Sequence, residues 1–275
     1  MKNLPRLNAK LEDLVNSQMP YSDYLFGSDY IKYGGYDPKT FNLYETLNFF
    51  YKRYVEPLSN LIDIGNARLL DCACGYGWFT FSFLLAGGSR NIDQPVICMD
   101  LDSSRGEIVY EFAKILSLDN KISFIPGNIA NLPFGDKNFD IFTCIETLEH
   151  LPKESRKDAL KEISRVSHYQ LITTPNKLWP IDYHDRKVPF AHWFDGRFLT
   201  QLEILKGLNS ELLSNVYCFE EWIDLEKIYP LYWPYPGTYK TLDKFSLLPF
   251  KFLSKINKKF PQYLLPQIQG IYKAK

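Results

Sequence analysis

Residues 68–88 read "RLLDCACGYGWFTFSFLLAGG". The first six residues are short, apolar and flanked by turn residues, which predicts a buried strand. The next part is apolar on every side and is closed by Gly87 and Gly88, which predicts a buried helix with a glycine stop. Between them lies "DCACGYG", Asp71 to Gly77. Glycines at a strand-to-helix turn let the backbone approach a ligand closely. A plain tight turn is the other reading of such a loop. No Gly-Lys-Ser/Thr follows it, and it lacks the spacing of a dinucleotide fingerprint.

The same alternation continues outward. "PVICMD" (95–100), "KISFIPG" (121–127), "FDIFTCIE" (139–146) and "YQLITTP" (169–175) read as further strands. Ser103 or Ser104 can cap a helix whose apolar positions Ile108, Val109, Phe112, Ile115 and Leu116 recur at helical spacing. Pro152 opens another, with Leu160, Ile163 and Val166 on one face. Strands alternating with helices imply right-handed crossovers and a parallel sheet covered on both faces. Ligands of such sheets bind beyond the carboxyl ends of the strands. Asp100, Asn128 and the group Glu146, Glu149 and His150 all fall just after predicted strands.

Bulk properties bound the function. The 275 residues carry 32 basic and 32 acidic side chains, so formal net charge is zero. A neutral chain lacks the footprint of a general nucleic-acid binder. Five cysteines is an odd count, and Cys72, Cys74, Cys98 and Cys144 lie in or beside apolar runs. That pattern predicts reduced thiols and a cytoplasmic protein. The first twenty residues contain no apolar signal core. Nothing in the sequence sets an oligomeric state.

Taken in order, "LLDCACGYGWFT", "VICMDLDSS", "FIPGNIANLPFGDKNFDIFTCIETLEHLP" and "YQLITTPN" resemble the class I S-adenosylmethionine-dependent methyltransferases over roughly residues 60 to 175. The resemblance implies an α/β fold: a Rossmann-like three-layer sandwich around a seven-stranded, mostly parallel sheet whose last strand is reversed. "PQIQGIYKAK" fits that closing strand. It also implies a helical cap or lid over residues 1–60 and a core over 61–275. Within the core, a substrate-side insertion would span 176–200, and a helix plus the closing strand 240–275. Asp71, Ala73, Gly75 and Gly77 would line the methionine end of the cofactor. Asp100 and Leu101 would hold its ribose side, Asn128 and the Ile129 N–H its adenine edge, and Glu146 would face the transferred methyl group. Ala73 and Asn128 stand where the family usually has Gly and Asp.

"ETLEH" (146–150) is similar to the Glu-x-x-Glu-His signature of ubiquinone-pathway phenol O-methyltransferases and of small-RNA 3′-terminal 2′-O-methyltransferases. By that resemblance Glu146, Glu149, His150 and a later histidine, His192, would hold a divalent metal (Mg, Mn or Zn) that acidifies a hydroxyl. The other reading makes Glu149 a brace and His150 a base. "TPNKLWPIDYHDRKVPFAHWF" adds His184 and His192 as alternative bases and resembles methyltransferases of surface-polysaccharide clusters. The expected acceptor is therefore a hydroxyl of a small molecule or a (lipid-linked) glycan. An RNA 3′-end and a non-catalytic cofactor-binding module are the alternatives. The Lys- and Phe-rich stretch 240–265 could lie on a membrane surface, or pack as an amphipathic helix.

Overall fold

The computed structural model describes residues 43–179, 190, 193, 196, 198–215 and 267–275. Seven strands among them form one sheet: β1 (Leu69–Cys72), β2 (Val96–Asp100), β3 (Ile122–Pro126), β4 (Phe139–Ile145), β5 (Ser167–Pro175), β6 (Ser210–Asn215) and β7 (Gln267–Ala274). Their order is β3-β2-β1-β4-β5-β7-β6. β1 to β5 are parallel, and β7 runs antiparallel to both neighbours. The Rossmann-like sheet with a reversed last strand is therefore present.

Residue alternation along each strand sends side chains to two cores. Leu69, Ile141, Leu171 and Ile271 enter one core, together with Phe79 and Phe83. Leu70, Phe142, Ile172 and Tyr272 enter the other. The first face is covered by α1 (Leu43–Phe50), α2 (Glu56–Ser59), α3 (Trp78–Leu85) and α4 (Arg105–Ile115). The second is covered by α5 (Lys153–Val166) and α6 (Gln201–Leu208). A helix that is apolar all round must be buried all round. In α3 every residue from Trp78 to Phe83 is buried, because α1 closes its outer side and Ser82 Oγ donates to Leu47 O at 2.8 Å. Burying each such Phe contributes about 2–3 kcal/mol.

One local expectation is corrected. Ser104 occupies the N-cap of α4 without capping it, because its hydroxyl donates to Asp102 Oδ1 at 2.6 Å. The chain turns extended at Ser167, so His168 belongs to β5. The α6–β6 unit was not anticipated at all. Its signal is in the sequence: Thr200 and Glu203 form a reciprocal capping box, and Asn209 stops the helix in the left-handed region. Among the described residues no helix is long and apolar enough to cross a membrane. The stretch 240–265 lies outside the described residues, as do residues 1–42 and most of the insertion.

Candidate functional site

Parallel pairing of β1 to β5 brings their carboxyl ends to one edge of the sheet, with the order reversing between β1 and β4. That reversal is where α/β sheets open a crevice. The edge has two halves.

The first half follows β1, β2 and β3. The loop after β1 takes positive φ at Ala73 (55°), Gly75 (56°) and Gly77 (82°). Alanine tolerates that region at some cost, glycine at almost none. The loop is tied to β2 by Cys74 N–H to Met99 O at 3.0 Å. Asp100 completes the tie. Its Oδ2 accepts from Gly75 N–H at 2.9 Å and its Oδ1 from Asp102 N–H at 3.1 Å. Each oxygen keeps a further lone pair for a ligand hydroxyl. A Cβ added to Gly75 would meet nothing within 4 Å, so the loop borders open space. Beside it Leu101 is 77% exposed, an apolar side chain aimed at solvent. An open glycine cradle, a half-exposed carboxylate and an uncovered apolar face fit a nucleoside cofactor with ribose hydroxyls and a flat base.

Two members of the expected cofactor set have partners within the protein. Asp71 is buried: Thr80 Oγ1 and Thr143 Oγ1 donate to its two oxygens at 2.7 Å each. It braces β1 to α3 and β4, and burial pushes its carboxyl up to about 6 despite those bonds. Asn128 is exposed, and its Oδ1 accepts from Ala130 N–H at 2.9 Å. That oxygen shapes the turn after β3 before it meets any ligand. Ile129 next to it is buried.

The second half follows β4 and β5. Glu146 adopts φ 50°, a strained choice for a residue with a Cβ. The turn points its carboxylate toward β5 and β7 rather than toward β1. Thr173 Oγ1 donates to Oε1 at 2.8 Å and Gln267 Nε2 to Oε2 at 3.1 Å. Glu149 is buried, accepts from Thr174 Oγ1 at 2.9 Å, and is pushed well above the usual carboxylate range by burial and then by Glu146. His150 is outward, its side chain 67% exposed, with Nε2 3.8 Å from Glu149 Oε1. Buried Arg156 holds this turn in place. It donates to Leu151 O at 3.1 Å, to Glu149 O at 3.4 Å and to Gly196 O beyond β5.

Of the residues expected to bind metal, Glu149 and His150 lie 3.8 Å apart, while Glu146 is held by Thr173 and Gln267. Among the described residues no group of three or more His, Cys, Asp or Glu is arranged to hold an ion. Glu146, Glu149 and His150 do not by themselves form such a group. His192 and His184 lie outside the described residues. Sequence reading missed Thr173, Thr174, Gln267 and Arg156. Only their three-dimensional pairing reveals them, since each lies on a different element from the group it holds.

A glycine cradle after β1, an acidic residue after β2 and a polar mouth after β4 thus lie along one edge of the sheet. The model for the family described as "Methyltransferase domain" matches residues 69–168. The ubiquinone/menaquinone biosynthesis C-methyltransferase of Rhodopseudomonas palustris is 33% identical over 99 residues, which is 36% of this chain and 37% of that protein. The sterol 24-C-methyltransferase of Debaryomyces hansenii is 26% identical over 153 residues, covering 53% of this chain and 38% of that one. The chain thus spans well under half the length of these curated relatives. A solved S-adenosylmethionine-dependent methyltransferase from Mesorhizobium loti shares the fold at a TM-score of 0.53, with 12% identity over 81% of this chain and 97% of that one. Residues 69–168 thus match a methyltransferase domain, and the chain is similar to S-adenosylmethionine-dependent methyltransferases.

Proposed function

We propose that the chain transfers a methyl group from S-adenosylmethionine to a hydroxyl oxygen of a small molecule or a glycan. One observation carries the oxygen: the turn after β4 sets Glu146 and His150 at the same sheet edge as Asp100 and Leu101. When bound, the cofactor supplies an electrophilic methyl carbon. The protein's own groups do the rest. Asp100 takes the ribose hydroxyls, Leu101 covers a face of the base, and the Gly75 to Gly77 backbone borders the methionine end. His150 takes the acceptor's proton, its Nε2 lying 3.8 Å from Glu149 Oε1. His184 and His192 are the other candidates for that proton. In-line displacement draws most of its rate from alignment, so Glu146 serves best by fixing the attacking oxygen.

Carbon is the second reading, favoured by the names of the two curated relatives. Zero net charge weighs against an RNA end. The test is methyl transfer from isotope-labelled S-adenosylmethionine to sugars, phenols and RNA ends, with and without chelator. Label on a sugar or phenol oxygen supports the proposal. Label on carbon replaces it with the second reading. Cofactor binding without transfer to any acceptor rejects both and leaves a binding module.

A further inference from the structure

Arg53, in the helical run after α1, is 1% exposed. Its guanidinium lies against Phe49 and Tyr54, 5.2 and 5.6 Å from their ring centres. One of its nitrogens, Nη2, donates to Gln267 Oε1 on β7. Gln269 Nε2 donates to the same oxygen at 2.6 Å. A guanidinium has no acceptor, so the atom facing it must be the oxygen of the Gln267 amide. This removes the usual ambiguity between the two ends of a glutamine. The amide nitrogen is then forced to the other side, where it donates to Glu146 Oε2 at 3.1 Å. The relay joins positions 214 and 121 residues apart in sequence.

We propose that Gln267 is a positioning residue. It passes the fixed orientation of Arg53 to Glu146, and so holds that carboxylate as a hydrogen-bond acceptor for the incoming hydroxyl. This rests on the acceptor reading of the β4 mouth given above. The geometry supports it from both sides of the carboxylate. Thr173 and Gln267 each donate to one oxygen, and the Glu146 N–H is held by Thr173 O at 3.0 Å. Strained backbone persists where surrounding contacts over-determine it, and here two strands do so. A long acidic side chain is thereby reduced to one orientation, as alignment of an attacking oxygen needs.

Two variants of similar shape test this. Gln267→Glu puts an acceptor where the donor stood, and Gln267→Met removes both ends. With the hydroxyl acceptor found by the transfer screen, Gln267→Glu should lower kcat about tenfold or more, and Gln267→Met by less. KM and the cofactor Kd should stay within about threefold of wild type in both. A merely structural role would not rank the charged isostere below the apolar one at equal melting temperature. Unchanged kcat in Gln267→Glu overturns the proposal. A second readout needs no acceptor: a double-mutant cycle of Arg53→Met with Glu146→Gln, followed by urea unfolding. Coupling of about fivefold in the unfolding constant is expected with Gln267 present, and near-additivity in the Gln267→Met background. Additivity with Gln267 present overturns the relay even if every acceptor fails. Coupling without any methyl transfer supports the relay and sinks the acceptor reading instead.

Discussion

The two halves of the sheet edge are built from different materials. After β1 and β2 the structure is mostly backbone: positive φ at Ala73, Gly75 and Gly77, and main-chain N–H groups on Asp100. After β4 and β5 it is mostly side chain: Thr173, Thr174, Gln267 and Arg156 hold Glu146, Glu149 and the turn between them. A backbone cradle serves any molecule with the same nucleoside. A side-chain mouth offers groups that can be matched to a particular acceptor. The difference teaches where to look for generic binding and where for specificity.

The sharpest way to separate the halves is Glu146→Gln. It keeps the shape but removes charge and sets an amide nitrogen against the Gln267 amide or the Thr173 hydroxyl. Methyl transfer should fall about a thousandfold, roughly 4 kcal/mol, the upper part of what one positioned group contributes. Steady-state turnover with the identified acceptor checks it, and turnover near wild type would show that the β4 mouth does not handle the hydroxyl.

The buried carboxyl between the halves gives the next largest effect. Asp71 is raised from 3.8 to about 6 by burial. The folded chain therefore holds this proton over a range in which the unfolded chain has lost it. Stability contributed by the protonated form is present below the unfolded value and is lost as pH rises through about 4 to 6. The loss should be about 3 kcal/mol, flat above pH 7. Glu149, shifted in the same direction by burial, adds a loss of the same sign. Urea unfolding of wild type and Asp71→Asn across pH 4 to 7 measures it. A wild-type curve as flat as the variant's would mean that Asp71 is not held as described.

Legibility from sequence follows the same division. The turn after β1 announces itself because left-handed backbone selects glycine, and Asp100 because strand ends are countable from apolar runs. The fold followed from strands buried on both faces, which read as continuous apolar segments. The mouth was only half visible. "ETLEH" put three functional groups in five residues and invited a common ion. The φ of 50° at Glu146 and the pull of Gln267 turn its carboxylate toward β7, while Glu149 turns inward to Thr174. No spacing rule reports a partner 121 residues away. Asn128 shows the reverse case, a short-range Asx turn to Ala130 that a motif reading passes over.

That turn yields the smallest effect. Asn128→Asp keeps the acceptor for Ala130 N–H and makes it stronger. Cofactor affinity should hold or tighten by under about 1 kcal/mol, measured by calorimetry. A collapse would place Asn128 in some role other than shaping and lining the adenine side.

The separateness of the two halves is tested most directly by titrating S-adenosylmethionine calorimetrically into wild type, Asp100→Ala and Glu146→Ala. Asp100→Ala removes a charged acceptor and frees the Gly75 loop, so binding should weaken by about 2–3 kcal/mol, or roughly 30- to 150-fold. Glu146→Ala should bind within about twofold of wild type, since its carboxylate is held by β5 and β7. Equal affinity of Asp100→Ala and wild type, or a loss in Glu146→Ala as large as that expected for Asp100→Ala, would contradict the account.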